Sequence, residues 1–179
     1  SIKEIHIPKK VDCISVGAFA KMSSLEKITV DPENQKYFTE EEIALLSKDG
    51  LFLQYAIHCP YKEYTIGYYM IDFGTIKDEF GNESNFQSPQ LTYRLADYAF
   101  AGAKHLEKIE IPSELESIGG NTFSSCDSLN TLEIFHTDYG DTFSLQVFPE
   151  YQRKNEIPFK QIFIEDGIKT LCSNLEDLF

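Results

Sequence analysis

One stretch, residues 109–134, constrains this chain more than any other, because its grammar recurs along the sequence. Moved back by 104 positions it falls on residues 5–30. The matched pairs are Ile5 with Ile109, Ile7 with Ile111, Pro8 with Pro112, Val11 with Leu115, Ile14 with Ile118, Phe19 with Phe123, Met22 with Cys126, Leu25 with Leu129, Ile28 with Leu132 and Val30 with Ile134. Moved back by 23, it places Leu95, Ala99-Phe100, Ala103, Leu106, Ile109 and Ile111 on Ile118, Thr122-Phe123, Cys126, Leu129, Leu132 and Ile134. A partial fourth copy begins at Ile162-Phe163-Ile164, with Ile168 and Leu171 in the places of Leu115 and Ile118. Self-similarity at a fixed short period is the mark of a stacked repeat architecture, and it fixes the fold before any single residue is read.

The physics of one unit follows from its spacing. Ile-x-Ile is a short strand whose two apolar side chains point the same way. Pro8 and Pro112 come at the strand's end, where a missing N–H does least damage. The following apolar residues, three apart, predict a single helical or 3₁₀ turn packed under the strand. One unit cannot bury its apolar stripe alone, so neighbouring units must stack and complete one another's core. The expected architecture is α/β: a solenoid of short parallel strands, with short helical turns on the other side and irregular β-hairpin insertions. The block 95–134, where two units run in phase, should be its most stable part.

The chain of 179 residues is one domain's worth and can bury roughly 70% of its unfolded surface. We expect a single domain over 1–179, with repeats at about 1–30, 93–134 and 162–179 and insertions at about 31–92 and 135–161. Ser1-Ile2 corresponds to Ser24-Leu25, so the sequence opens within a repeat and reads as a piece of a longer protein. A net charge of −13 argues against nonspecific nucleic-acid binding and against anionic membrane surfaces. No apolar run approaches the length needed to span a bilayer.

Between the repeats the pattern changes. Asp31-Pro32-Glu33-Asn34 reads as a turn leaving the stack. Asp49-Gly50, between two apolar runs, predicts a β-hairpin with a type I′ turn. Tyr64-Thr65-Ile66 returns to the strand position, with Gly67 where other units have proline. Residues 67–92 show no clear pattern. Their polar loop at 78–85 lacks the ligand order of a calcium loop and reads as a solvated turn. The second insertion is rich in aromatics: Phe135, Tyr139, Phe143, Phe148, Tyr151 and Phe159.

The complete unit at 109–134, I-x-I-P-x-x-L-x-x-I-G-x-x-T-F-x-x-C-x-x-L-x-x-L-x-I, resembles the BspA-like, or Treponema-type, leucine-rich repeat. Ile28-Thr29-Val30-Asp31, the hairpin around Lys48-Asp49-Gly50, and Tyr64-Thr65-Ile66 resemble that family's usual insertion. The matches cover about two thirds of the chain and are weakest at 67–92 and 135–160. Gly67 stands where the family has proline, and Ser15 where it has glycine. The resemblance implies a curved solenoid on a bacterial cell-surface or secreted protein. It also implies adhesion to protein or glycan on host or microbial surfaces, with no cofactor and no shared enzymatic activity.

Candidate chemistry is sparse. The cysteines Cys13, Cys59, Cys126 and Cys172 have no CxxC spacing. Cys126 takes the position of Met22 and Ala103 and reads as a small core hydrophobe, whereas disulfides among the others stay open. Cys59 adjoins His58, but neighbours in a strand point to opposite faces and no catalytic signature surrounds them. His6, His105 and His136 fall on different repeat positions, which disfavours a metal site. With 29 acidic residues, accidental carboxylate pairs are unavoidable, so a hydrolase of cysteine or carboxylate type is the weakest of the readings.

Repeat geometry offers a better candidate. The middle residue of each strand must face away from the core, which predicts an aligned outer row of His6, Thr29, Glu110, Glu133 and Phe163. Glu4, Lys27, Lys108, Thr131 and Gln161 stand beside the strand starts. Solenoids use such faces for binding, and a plain solvated face is the competing reading. Insertion aromatics, notably Tyr61, Tyr64, Tyr68, Tyr69 and Phe73, are a second candidate surface, with capping of the core's edges as the plainer alternative. The functional alternatives are an adhesion module and a structural spacer that projects another domain.

Overall fold

The computed structural model describes residues 2–57, 60–77, 80–138, 142–144 and 159–172. These carry β1 (Glu4–Ile7), β2 (Lys27–Val30), β3 (Tyr37–Glu40), β4 (Ala44–Ser47), β5 (Phe52–Ala56), β6 (Glu63–Thr65), β7 (Tyr68–Lys77), β8 (Glu83–Leu91), β9 (Arg94–Leu95), β10 (Lys108–Pro112), β11 (Ser117–Ile118), β12 (Thr131–Phe135), β13 (Thr142–Ser144), β14 (Gln161–Ile164) and β15 (Thr170–Cys172).

Repeat spacing becomes strand register. β10 pairs in parallel with β12, Lys108 opposite Thr131 and Ile111 opposite Ile134, so a 23-residue separation is one turn of the solenoid. β6, β10, β12 and β14 are successive rungs of one parallel sheet, with Tyr64, Ile109, Leu132 and Ile162 in a single inward row. β1 and β2 form a separate parallel pair. Within the four-stranded sheet, neighbouring coils are stitched at the strand start by one carbonyl that accepts two successive amides. Lys62 O takes Glu107 and Lys108, Glu107 O takes Asn130 and Thr131, and Asn130 O takes Lys160 and Gln161.

Opposite the strands the chain runs through a string of turns, with no helix among the described residues. In one coil the bonds run Ala18 to Ser15, Ala20 to Gly17, Met22 to Phe19 and Leu25 to Met22, amide to carbonyl. They start two or three residues apart, whereas a 3₁₀ helix needs them at successive residues. Left-handed residues break the run at one repeat position: Gly17 (φ 72), Tyr98 (φ 63) and Asn121 (φ 56). The apolar spacing of three therefore survives without the helix it suggested.

The first insertion is a three-stranded antiparallel meander, β3-β4-β5, whose last strand joins β9 and β11 in parallel. It divides the interior. From β4, Leu45 packs with Ile7, Phe19, Leu25, Ile28, Tyr37 and Tyr55, whereas Ala44 and Leu46 join the main core of Leu53, Ile66, Phe100, Ile109 and Leu132. Alternating strand side chains make one strand a wall common to both cores. A column of rings runs through the main core: Tyr64 on Phe100 (centroids 5.2 Å), Phe100 on Phe123 (6.0 Å) and Phe123 on Phe159 (5.7 Å).

The Asp49-Gly50 hairpin forms, but not with a type I′ turn. Gly50 has φ 75 while Asp49 is not left-handed. Gly50 N bonds Ser47 O instead, and the Asp49 carboxylate accepts the Ser47 hydroxyl (2.5 Å) and the Leu51 amide (3.1 Å). Those bonds hold Asp49 where a two-residue turn would require positive φ. The turn at 31–34 is fastened by Asn34, which is fully buried. It donates to Pro8 O and Val11 O and accepts from the amides of Lys36 and Tyr37. Residues 67–92 hold the long antiparallel hairpin β7–β8, the two strands pairing with each other alone.

Candidate functional site

The outer face of the sheet is built by the same alternation that fills the core. Ile109 and Ile111 point inward and are fully buried, so Lys108 and Glu110 emerge on the other side. Parallel pairing then sets Thr65, Glu110, Glu133 and Phe163 side by side on β6, β10, β12 and β14. The row is cross-linked. Thr65 Oγ1 donates to Glu110 Oε2 at 2.6 Å. Lys108 Nζ lies 2.6 Å from Glu110 on its own strand and 2.6 Å from Glu133 on the next.

Lys108, Glu110 and Glu133 are each only about a quarter to a third exposed. Hydrogen bonds that Lys108 donates to Glu110 and then Glu133 push its amine above the ordinary value against the effect of burial. Burial alone would push the Glu110 carboxyl up, but bonds from Lys108 and Thr65, with the Lys108 charge, together outweigh it and hold the carboxyl below its ordinary value. Lys108 and Glu110 are therefore both ionised at neutral pH. Phe163 ends the row with half its side chain in solvent.

The five residues of the expected row do not make one surface. Glu110, Glu133 and Phe163 come together. His6 and Thr29 form a separate pair on β1 and β2, His6 Nδ1 lying 3.0 Å from Thr29 Oγ1. Between the two patches sits the turn before β4, with left-handed Glu41 and Glu42. Glu42 O takes the amide of Ile28 and its carboxylate pairs with Lys27 at 2.7 Å, so the turn lies where another rung would continue the sheet. Thr65 belongs to the row and was missing from the expected set, although the middle-residue rule applied to Tyr64-Thr65-Ile66 names it.

Among the insertion aromatics, Tyr61 is exposed and donates its hydroxyl to Glu41 at 2.9 Å. Tyr64 is not a surface residue of this kind, since it takes the Ile109 position in the strand and turns its ring onto Phe100. The side chains of Tyr68, Tyr69, Phe73, Phe143 and Cys172 lie outside the described part of the structure, as do Tyr139, Phe148, Tyr151, His58 and Cys59. Phe159 is buried against Phe123. Cys126 is a buried thiol 3.1 Å from Phe100 O, in keeping with a small core residue, and Cys13 is exposed and outside any disulfide.

Stacked coils with a parallel sheet along one side define a leucine-rich repeat protein. Residues 1–43 and 77–176 match the BspA type leucine rich repeat region, in six copies, and the chain belongs to that family. Three solved structures share the fold. The pneumococcal vaccine antigen PcpA superposes with a TM-score of 0.53 at 19% identity over 99% of this chain. A leucine-rich repeat protein of Eubacterium ventriosum gives 0.51 at 19% over 90%, and a leucine rich cell surface protein of Faecalibacterium prausnitzii 0.52 at 16% over 92%. The chain spans about half the length, 48%, of each. Among curated protein sequences none matches it significantly.

Proposed function

We propose that the chain is a non-catalytic binding module of a secreted or cell-surface protein, recognising protein or glycan through the outer face of β6, β10, β12 and β14. The carrying observation is the row Thr65–Glu110–Glu133–Phe163, held in register by strand pairing and fixed in place by Lys108. Pre-ordered side chains lose less entropy when a partner docks, and an exposed aromatic beside a fixed carboxylate supplies both apolar area and a hydrogen-bond acceptor. Membership in this repeat family, with a vaccine antigen and a cell surface protein among the solved structures that share the fold, supports an exported location. Solid-phase binding of the chain to matrix proteins and to a glycan array tests the reading. At least one ligand should be captured, and Glu133→Gln with Phe163→Ala should weaken that capture about tenfold.

The spacer reading has one observation in its favour: Lys108 already engages both central carboxylates, leaving fewer groups for a partner. Capture of no ligand, or capture indifferent to the double substitution, would favour the spacer.

A further inference from the structure

We propose that the cleft between the turns at 15–26 and 97–107 binds an acidic saccharide through its sulfate or carboxylate group. The cleft arises from the interruption of the stack. Where two regular turns adjoin, they are laced by backbone bonds: Tyr98 N to Gly120 O, Phe100 N to Thr122 O and Gly102 N to Ser124 O. Between β2 and β6 the chain is spent on the meander β3-β4-β5. The turn at 15–26 accordingly faces 97–107 with no backbone bond between them among the described residues. The two turns meet at Gly17, where an added Cβ would lie 3.0 Å from the Tyr98 ring. Further along they part, leaving a cleft of about 420 Å³, within the size range of small-ligand sites.

Its lining has the opposite sign from the molecule. Lys21, Lys104 and His105 line it, with Ser23 and Ser24, in a chain of net charge −13. Glu26 is the one carboxylate among the described lining residues, and Lys3 holds it at 2.7 Å. Lys21 and Lys104 make no ion pair with any described residue and keep their charge for a ligand. Ammonium groups flanking hydroxyls suit an oxyanion carried on a hydroxyl-rich scaffold, because the anion takes charge-assisted bonds and the ring hydroxyls exchange bonds with serines. None of the strand-face residues takes part, so the inference stands apart from the function proposed for that face.

Isothermal titration at low ionic strength tests it, using a sulfated tetrasaccharide, its desulfated counterpart, a sialylated trisaccharide and a phosphoserine peptide. The sulfated or the sialylated sugar should bind, the neutral one should bind at least about tenfold more weakly, and the tighter of the two acids identifies the anion. K21Q/K104Q should lower that affinity about tenfold or more. K36Q/K48Q, which removes the same charge from exposed lysines elsewhere, should not. Equal binding of charged and neutral sugars, tighter binding of the phosphopeptide, or full binding by K21Q/K104Q would overturn the assignment. Thermal melting of both double variants guards against a folding defect, since all four lysines are exposed.

Discussion

Lys108 reaches over to the next coil to lie 2.6 Å from Glu133, and it holds Glu110 at the same distance on its own strand. One ammonium thus bridges two carboxylates that the 23-residue repeat forces into the same row. Isolated surface pairs contribute little. This one is less than a third exposed at each member and is shared between rungs, so it fixes the row as well as stabilising it.

Lys108→Met should cost about 1–3 kcal/mol at neutral pH, because it leaves two half-desolvated carboxylates facing each other. The pH dependence should also change sign. In the native chain the Glu110 carboxyl is held below its ordinary value, so its contribution is present above about 4.5 and is lost as pH falls through the lower folded value. Without Lys108, burial becomes the leading influence, the carboxyl rises above its ordinary value, and acidification relieves strain. Denaturation midpoints at pH 7 and pH 3.5 would show this, and an unchanged acid slope in the variant would sink the argument.

Asn34→Ala should be among the most damaging polar substitutions, at roughly 3 kcal/mol. It strips partners from two carbonyls and two amides at a position with no exposure. Asn34→Asp keeps the acceptor for Lys36 and Tyr37 but turns an oxygen onto the carbonyls of Pro8 and Val11, so it should be destabilising as well. Urea melts of both variants test this. A loss below about 0.5 kcal/mol for the alanine would mean that water replaces the side chain.

Two glycines should behave oppositely. A Cβ on Gly119 would stand 2.2 Å from Asp97 N and 2.4 Å from Ala96 C, both backbone atoms of the adjoining coil. Gly119→Ala must push two coils apart, at about 2–4 kcal/mol. Around Gly67, where the family pattern has proline, a Cβ would meet nothing within 4 Å, and the residue is not left-handed. Gly67→Ala should be neutral or stabilising by about 0.5 kcal/mol. Thermal melts of the pair, read side by side, separate close approach from mere repeat position.

The inward half of this fold was legible because stacking gives it one rule. Ile109 over Leu132 and Ile111 over Ile134 follow from counting 23 residues, and Cys126 follows from its equivalents Met22 and Ala103. The rest obeys other physics. Spacing by three describes a string of turns as well as a helix, and only the left-handed residues at Gly17, Tyr98 and Asn121 decide between them; Tyr98 gives no hint of that conformation in its type. The hairpin turn departs from type I′ because the Asp49 side chain, by bonding Ser47 and Leu51, sets a conformation that the dipeptide alone does not. Strands β7 and β8 carry no repeat signal, since their partners are each other. On the candidate face, the bridge through Lys108 needed two facts together: that Lys108 and Glu110 share a face, and that Glu133 is one coil away. The break between His6–Thr29 and the main row was illegible, since it depends on where the chain at 40–43 folds back against β2.

The clearest improvement to stability lies in the wall between the two cores. Tyr55 is 1% exposed, packs its ring on Phe19 at 5.5 Å, and has no hydrogen-bond partner for its hydroxyl among the described residues. A buried hydroxyl without a partner costs about 1–3 kcal/mol, and the ring without the hydroxyl keeps the same packing. Tyr55→Phe should therefore stabilise the chain by about 1 kcal/mol, seen as a higher urea midpoint with an unchanged slope. A second reading comes from alkaline pH. Burial pushes the Tyr55 hydroxyl up from 10.0 to about 12, so between those values the unfolded chain ionises there while the folded one does not. Stability should fall through that window in the native chain and fall less in Tyr55→Phe. A substitution that destabilised the protein at neutral pH would mean that the hydroxyl has a partner after all, most simply a buried water.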